Sequence, residues 1–459
     1  MKRQIALPIN SYQHYSKRVG SERLVNCFVE QAPQSGKAAY SACRTPGIVT
    51  GVTPGNGPGR GLVNWQGQLY AVSAGYLYHI NSSHVATSIG AIAGGDLCSF
   101  AENPTQLVTC SGSASYTYNG TTLAQITDAD FANGAQTCAI DGYVLFREAS
   151  SGRFFSSDLN NASSYDALFF ATAEGLADNI VGIVADHRQA VLAGSESMEL
   201  WYNAGASGFP FLRDSNGFVE IGCAAGASLA KVDNSVFWLA SDLTVRRLDG
   251  ITPVRISTHG VEQAIGEMTT VSDAIGYGYT MGGHLFYVLT FPTEDATWVY
   301  DATTQLWHER QSYGIGRWRP CSAALVYNRW YVQDYETGKV GYLGQTTFED
   351  WGVTQRVEVT FQDVYSNGEL LLHDELEMII ESGVGLVSGQ GSNPLVTLEK
   401  SDDSGKTWVT LPTKTLGAIG EYRTRLRWVS LGSARYRQYR LSISDPVKFV
   451  VADALLTVS

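Results

Sequence analysis

One short stretch of the chain has residue types and a spacing that are associated with chemistry on sugars. Residues 401–408 read SDDSGKTW and fit the S-x-D-x-G-x-T-W pattern of the Asp box, with Ser401, Asp403, Gly405, Thr407 and Trp408 in the defining positions. Asp403 can accept hydrogen bonds from backbone N–H groups further along the turn, and Gly405 can adopt a positive φ at little steric cost. We expect Trp408 to start the returning strand and to anchor the hairpin in an apolar core.

The Asp box leaves two interpretations open, a glycan-processing protein or a folded turn. The motif is best known from sialidases, where it recurs from blade to blade away from the active site, whereas this chain has one clear copy. The motif contains no nucleophile, no acid–base pair and no set of metal ligands. We therefore interpret it as structural. A sialidase-like glycan-binding or glycan-cleaving propeller protein remains the alternative.

No other motif predicts a catalytic, cofactor or metal site. The glycine-rich stretch GNGPGRG at 55–61 fails the dinucleotide-binding pattern and precedes a predicted strand rather than a helix. The GKT at 405–407 lacks the earlier glycine of a phosphate-binding loop, because Lys400 stands there. The eight histidines do not form a spaced ligand set. We predict that the protein is not an enzyme and uses no catalytic residue, cofactor or metal.

Composition narrows the class of protein further. A chain of 459 residues is too long for one compact core. The abundance of Gly, Tyr and Trp, with a low charged fraction of 17%, is typical of short strands and many turns. A net charge of −12 argues against a basic face that wraps nucleic acid. No apolar run approaches the roughly 20 residues of a membrane span. The seven scattered cysteines suit synthesis in a reducing cytoplasm.

A weak repeat from about residue 58 predicts the first domain. Each unit has an apolar strand, a polar turn and further strands ending in aromatic residues, and the units recur at roughly 40 residues, which is typical of propeller blades. About seven such units are present, which predicts a β-propeller over residues 58–350. The turns are expected near Gln66, Asn103, Asp141, His187, Asp233, Gly282 and Tyr327.

The repeat stops near residue 345, and a second pattern follows. Six or more strands with alternating apolar and polar residues fill the remaining chain, as in YRTRLRWVSL at 422–431. That number of strands in about 100 residues is typical of a β-sandwich. We predict an all-β protein whose propeller is followed by a sandwich over residues 351–459, with the Asp box as one of its hairpins.

The first 57 residues have no clear periodicity, and we expect an extended N-terminal arm. Its apolar residues are too few and too irregularly spaced to bury a core of their own. Arg23, Asn26 and Glu30 combine charge and amide groups with these apolar residues, and we predict that they contact a partner. On this hypothesis, deletion of residues 1–50 leaves a folded propeller and sandwich but impairs assembly.

Several segments resemble one family in order and spacing. SERLVNCFVEQAP at 21–33 and TPGI at 45–48 look like the opening of podovirus tail nozzle proteins, also called packaged-DNA stabilisation proteins. SMELWYN at 197–203 is similar to the middle region of that family. The segment at 425–456, which begins RLRWVSLGSARYRQYRL, resembles its closing part. The resemblance covers essentially the whole chain.

The resemblance implies a structural virion protein of a bacteriophage tail, made in the host cytoplasm. Members of the family assemble as a homohexameric tube below the portal and its adaptor ring. The tube forms the DNA exit channel, retains the packaged genome and supports tail fibres or tailspikes. The implied partners are therefore copies of the same chain, the adaptor, a fibre or spike protein, and DNA that passes without sequence-specific binding. The acidic charge suits a channel wall that repels DNA.

Overall fold

The structure, a computed structural model, describes residues 2–32, 38–132 and 134–459. Within these ranges the chain is built of β-strands, with one α-helix and one 3₁₀ turn at Gly226–Ser228. The predicted all-β architecture, a propeller followed by a sandwich, is confirmed. The strands before the propeller are β1 (Lys2–Ile5), β2 (Tyr12–Gln13), β3 (Ser21–Val25), β4 (Cys27–Gln31), β5 (Tyr40–Arg44) and β6 (Gly47–Val52).

The propeller has seven blades in the described part of the chain, which matches the number of repeat units. Blade one is β7 (Gly59–Trp65), β8 (Gln68–Ser73), β9 (Tyr76–Ile80) and β10 (Ala86–Ala91). Blade two is β11 (Ser99–Glu102), β12 (Leu107–Cys110), β13 (Ser115–Tyr118) and β14 (Leu123–Gln125). Blade three is β15 (Gly134–Ile140), β16 (Tyr143–Glu148), β17 (Arg153–Asp158) and β18 (Asn161–Thr172).

The remaining blades continue the same up-and-down order. Blade four is β19 (Ile180–Asp186), β20 (Gln189–Gly194), β21 (Met198–Asn203) and β22 (Phe211–Val219). Blade five is β23 (Ala230–Val232), β24 (Ser235–Leu239), β25 (Val245–Asp249) and β26 (Thr252–Arg255), followed by α1 (His259–Gly266). Blade six is β27 (Ile275–Met281), β28 (His284–Phe291), β29 (Ala296–Asp301) and β30 (Leu306–Glu309). Blade seven contains β31 (Pro320–Val326), β32 (Arg329–Asp334) and β33 (Val340–Gly344).

The turns between the first two strands of the blades explain why the repeat is visible in the sequence. Six of the seven blades in the described chain use a two-residue turn in which both residues have positive φ, as at Gln66–Gly67 and Asp141–Gly142. Such turns match the twist of a hairpin. Blade two instead uses a longer turn, in which the Asn103 side chain accepts hydrogen bonds from the backbone N–H groups of Thr105 and Gln106. The turns lie where the sequence predicts them.

The core of the propeller lies between blades rather than inside any one of them. Trp65 and Tyr70 of blade one pack against Leu107 and Tyr116 of blade two, and a comparable apolar cluster separates each later pair of blades. A further cluster joins blade seven to blade one and completes the ring. A single blade cannot bury both of its faces, so the ring must close for the domain to be stable.

The sandwich packs two sheets around its own core and begins after two short strands that extend blade seven, β34 (Glu349–Asp350) and β35 (Val353–Thr354). Its strands are β36 (Val357–Thr360), β37 (Val364–Tyr365), β38 (Leu371–Ile380), β39 (Leu395–Ser401), β40 (Val409–Thr410), β41 (Lys414–Thr415), β42 (Leu426–Ala434), β43 (Tyr436–Ile443) and β44 (Val450–Val458). One sheet has the order β4–β5–β44–β38–β42, with β1 also on β44. The other is centred on β36, β43 and β39.

The N-terminal segment differs from the expected extended arm. Residues 1 and 33–37 lie outside the described residues, and the rest of the segment supplies strands to both domains. Strand β6 pairs with β33 and becomes the fourth strand of blade seven, while β3 lies between blade six and the sandwich. The apolar residues look irregular in sequence because the six strands of this segment are divided among three different sheets. The domain limits 58–350 and 351–459 stay predictions, and we propose that the propeller also includes β6.

Candidate functional site at the N-terminal segment and the domain junction

The Asp box forms a compact turn in which the carboxylate is fully engaged. Asp403 Oδ1 accepts hydrogen bonds from the backbone N–H of Thr407 at 2.8 Å and of Lys406 at 3.0 Å, and from Ser401 Oγ at 2.7 Å. Its Oδ2 accepts from Thr407 Oγ1 at 2.6 Å. Gly405 has φ +83°, which favours glycine. These hydrogen bonds hold the pKa of Asp403 well below its usual range, so the carboxylate serves the turn rather than a reaction.

The expected core position of Trp408 is wrong. The side chain is half-buried and lies against the Arg440 guanidinium, whose central carbon is 4.1 Å from the ring centroid. Arg440 in turn donates to Glu399 at 2.7 Å. The returning strand β40 begins one residue later, at Val409, and it is an edge strand of its sheet. An edge hairpin offers an apolar interior on one side only, so the indole packs against an arginine instead.

The hairpin gives a first testable prediction. Asp403→Ala removes the acceptor for two backbone N–H groups and two hydroxyls, so we expect a measurably lower melting temperature. The matched control is Lys406→Ala, which changes an exposed side chain in the same turn. Differential scanning fluorimetry of the two variants decides the point. Equal melting of the Asp403→Ala and unmodified proteins would show that the turn folds without the carboxylate.

Arg23, in β3, joins the N-terminal segment to both domains. Its Nε and Nη2 donate to the Glu309 carboxylate in a bidentate pair, with Nη2···Oε2 at 2.6 Å. Glu358 of the sandwich lies 3.8 Å from the same guanidinium. The charge of Glu309 raises the pKa of Arg23 above its usual value. Bidentate pairs fix orientation as well as distance, so Arg23 sets how β3 sits against blade six.

Asn26 makes the sharp link between β3 and β4. It has φ 53°, a left-handed conformation that asparagine tolerates better than most residues. Its Nδ2 donates to the carbonyl oxygens of Gln311 at 2.9 Å and Arg356 at 2.7 Å, and its Oδ1 accepts from Gln311 N–H at 3.1 Å. The residue is buried, and its amide ties the loop after blade six to the start of the sandwich.

Glu30, in β4, pairs with a buried histidine of blade six. His284 lies between two carboxylates, with Nδ1 2.6 Å from Asp301 and Nε2 2.7 Å from Glu30. The hydrogen bond to Asp301, aided by the one to Glu30, raises the pKa of His284 to about 9. His284 is therefore protonated at neutral pH and donates to both carboxylates.

The histidine predicts a defined pH dependence. The pKa of His284 is raised above the ordinary value near 6.5, so its ion pairs stabilise the fold fully below pH 6.5. This contribution is lost as the pH rises through about 9. We expect His284→Gln to lower the melting temperature strongly at pH 6 and much less at pH 10. The exposed His259→Gln is the control. A melting difference that is the same at both pH values would contradict the ion-paired state.

The three residues predicted to contact a partner thus have partners within the chain. Arg23 and Asn26 lie beside the outer strand β30 of blade six, where the N-terminal segment meets the sandwich, and Glu30 reaches His284 at the start of β28. The Asp box is a separate feature, although Gly405 and Trp408 line a small cavity of ≈130 Å³ together with Arg23. Contacts of Arg23, Asn26 and Glu30 with another subunit stay a prediction.

Arg44 is the junction residue that the sequence does not reveal. It is buried, and its Nη2 donates to the carbonyl oxygens of Phe348 at 2.9 Å and Gln355 at 2.6 Å. Its Nη1 donates to the carbonyl oxygens of Asp445 at 2.5 Å and Val447 at 3.1 Å. One side chain therefore connects the N-terminal segment, the interdomain linker and the sandwich. Main-chain carbonyls leave no mark in a sequence, so no pattern could have identified these acceptors.

Exposed apolar side chains mark one end of the sandwich. Leu386 and Val387 lie in one loop, and Ile419 and Tyr422 lie in another. The loops are adjacent, because Gly385 lies against Ile419. Val387 is 87% exposed. Exposed apolar groups gathered in one place are typical of interaction surfaces.

Two other kinds of site are absent from the described residues. Residues 2–32, 38–132 and 134–459 contain no group of three or more His, Cys, Asp or Glu side chains placed to hold a metal ion. The α-helix found in those ranges is too short and too polar to cross a membrane.

Comparison with known structures finds propellers of low sequence identity. BamB from Moraxella catarrhalis is 11% identical, with 75% of this chain and 98% of BamB covered and a TM-score of 0.40. The Cps50 (Swd1) propeller domain from Myceliophteria thermophila is 8% identical, with 64% and 98% covered and a TM-score of 0.45. The Pan2 WD40 domain from Neurospora crassa is 11% identical, with 66% and 96% covered and a TM-score of 0.39. The sequence matches no curated protein.

Two family models match the chain in succession. The bacteriophage P22 Gp10 β-propeller model matches residues 13–348, and the bacteriophage P22 Gp10 β-sandwich model matches residues 357–459. The first match begins before β3 and so includes most of the N-terminal segment. Together the two matches span nearly the whole chain in the observed domain order. The chain therefore belongs to the bacteriophage P22 Gp10 family, whose members are phage tail proteins with a β-propeller and a β-sandwich.

Proposed function

We propose that the protein is a structural subunit of a bacteriophage tail nozzle and has no enzymatic activity. In this role it assembles as a homohexamer below the portal and its adaptor, forms the DNA exit channel and retains the packaged genome. It also supports tail fibres or tailspikes and resides in the virion after synthesis in the host cytoplasm. The observation that carries the proposal is the match of both P22 Gp10 family models over consecutive parts of the chain.

Strand pairing across the domain boundary supports a mechanical role in the tail. Strand β3 pairs with β36 and meets β30, so one sheet runs from blade six into the sandwich without interruption. Strand β6 closes the propeller from the same segment. Backbone hydrogen bonds across a domain boundary hold two domains in one orientation, which suits a subunit that transmits force during DNA ejection.

The charge and the exposed apolar residues also support assembly in a tail. A net charge of −12 suits a wall past which DNA moves without sticking. The exposed side chains of Val387 and Tyr422 offer a surface for a neighbouring tail component. The Asp box gives no support to the glycan-processing alternative, because its carboxylate is engaged within the turn.

A complementation experiment tests the proposed function. Phage that lack this gene are expected to form heads that package DNA and then lose it, and supply of the protein in trans should restore DNA retention. Imaging of the purified oligomer is expected to show a six-fold ring with a central channel. Heads that keep their genome without the protein would contradict the proposal, as would reproducible release of oligosaccharide from host surface polysaccharide.

A further inference from the structure

The axis of the propeller holds a cavity of ≈250 Å³. It lies near the beginnings of the inner strands, at Gly61 in β7, Ser99 in β11, Gln136 in β15, Gly276 in β27 and Ser322 in β31. The inner strands run side by side around the axis, so the cavity is at its centre. The two-residue turns lie at the other ends of these strands and therefore on the opposite side of the propeller.

The lining of this cavity carries positive charge without a carboxylate. Its charged residues within the described chain are Arg60 and Arg147. Arg60 is buried, and its guanidinium donates to main-chain carbonyls, including those of Asp96 at 2.7 Å and Ala93 at 3.0 Å. In the described ranges neither guanidinium has a carboxylate oxygen within the 4.0 Å of an ion pair. Neither positive charge beside the cavity is therefore paired directly with a carboxylate.

Arg147 is a hydrogen-bond donor beside the cavity whose own acceptors are distant. Its two hydrogen bonds to the described residues, from Nε to Gln136 Oε1 and from Nη1 to Ile180 O, are both long, at 3.4 Å. A guanidinium with long hydrogen bonds gains free energy when a bound anion accepts shorter, charge-assisted ones.

The thiols of the lining do not supply the missing negative charge. Burial raises the pKa of Cys98 and of Cys321 to about 12, so both remain neutral at physiological pH. The protein as a whole is acidic, with a net charge of −12, so its overall field repels anions. Any anion held here must be bound by the local donors.

We propose that the axial cavity binds a small tetrahedral oxyanion of the phosphate class, held by Arg147 in the positive field of Arg60. Guanidinium groups suit such ligands because their N–H groups match the spacing of phosphate oxygens. The cavity has room for the ion and its hydration partners. The site is independent of the role in a phage tail.

Calorimetric titration of the full chain with sodium phosphate, at an ionic strength held constant with sodium chloride, tests the site. We expect saturable binding of one phosphate per chain and an increase in melting temperature. Arg147→Gln should weaken binding by about tenfold or more, because charged hydrogen bonds are lost. The matched control is Arg188→Gln, which changes an exposed arginine on the opposite side of the propeller and should leave the affinity unchanged.

Arg147→Lys provides a second variant that keeps both charges and removes the planar guanidinium fork. It is expected to remain folded by circular dichroism and to bind phosphate several-fold more weakly. The proposal is overturned if the unmodified chain shows no saturable binding. It is also overturned if Arg147→Gln, shown to be folded, binds phosphate as tightly as the unmodified chain.

Discussion

Deletion of residues 1–50 is expected to abolish cooperative folding rather than to leave two intact domains. The deletion removes β1 to β5 and most of β6, and with them the buried side chains of Leu24, Val29 and Ile48. Burial of one such side chain contributes roughly 1.5–3 kcal/mol. The lost burial is then comparable to the roughly 5–15 kcal/mol that stabilises a whole domain. Circular dichroism with thermal melting of the truncated protein is the measurement.

A pair of point variants separates the loss of specific packing from the mere shortening of the chain. Ile48 is fully buried between blades six and seven, so Ile48→Asp should prevent closure of the ring. Val19, in the same N-terminal segment, is 63% exposed, and Val19→Asp should melt like the unmodified protein. A truncated chain that melts at the normal temperature would show that blade seven closes without β6.

The parts of the fold that the sequence predicts are the parts made by near neighbours in the chain. The turn at Asp141–Gly142 joins two strands that pair directly with each other. The residues that predict the turn are therefore the same residues that form it. The Asp box is predictable for the same reason. The bonds of Asp403 go to residues within four positions of it, and each follows from residue type and spacing.

The strand pairing of the N-terminal segment does not follow from its local sequence pattern, because its partners are distant in sequence. Arg23 pairs with Glu309, which is 286 residues away, and β1 pairs with the last strand, β44. No local hydrophobic periodicity identifies a strand that pairs with strands from a distant part of the chain. The same limit applies to Trp408, whose surroundings depend on Arg440 across the sheet. Distance in sequence, rather than weak chemistry, explains both errors.

The N-terminal segment supplies strands to both domains and so connects their sheets. It completes blade seven through β6, extends one sandwich sheet through β4 and β5, and bridges blade six to the other sheet through β3. The two domains are therefore expected to unfold together. Arg44 lies where the N-terminal segment, the interdomain linker and the sandwich meet. We expect its hydrogen bonds to determine how strongly the unfolding of one domain is coupled to that of the other.

Arg44→Ala is expected to lower the free energy of unfolding by about 3–5 kcal/mol. The substitution removes the donors for the carbonyl oxygens of Phe348, Gln355 and Val447 and leaves buried acceptors unpaired. Burial lowers the pKa of Arg44 only to about 10, so the guanidinium is charged at neutral pH and its hydrogen bonds are charge-assisted. Urea denaturation of the purified protein measures the change.

Two further variants identify which property of Arg44 matters. Arg44→Lys keeps the charge but replaces a planar fork that reaches separate carbonyls with a single ammonium group, so it should recover only part of the loss. Arg188→Ala removes an arginine that is exposed and paired only at the surface, and it should denature like the unmodified protein. Because Arg44 joins the linker to the sandwich, Arg44→Ala should also speed proteolysis between residues 345 and 356. If Arg44→Ala and Arg188→Ala denature alike and resist protease equally, the domains are held together by the strand pairing of β3 and β6 alone.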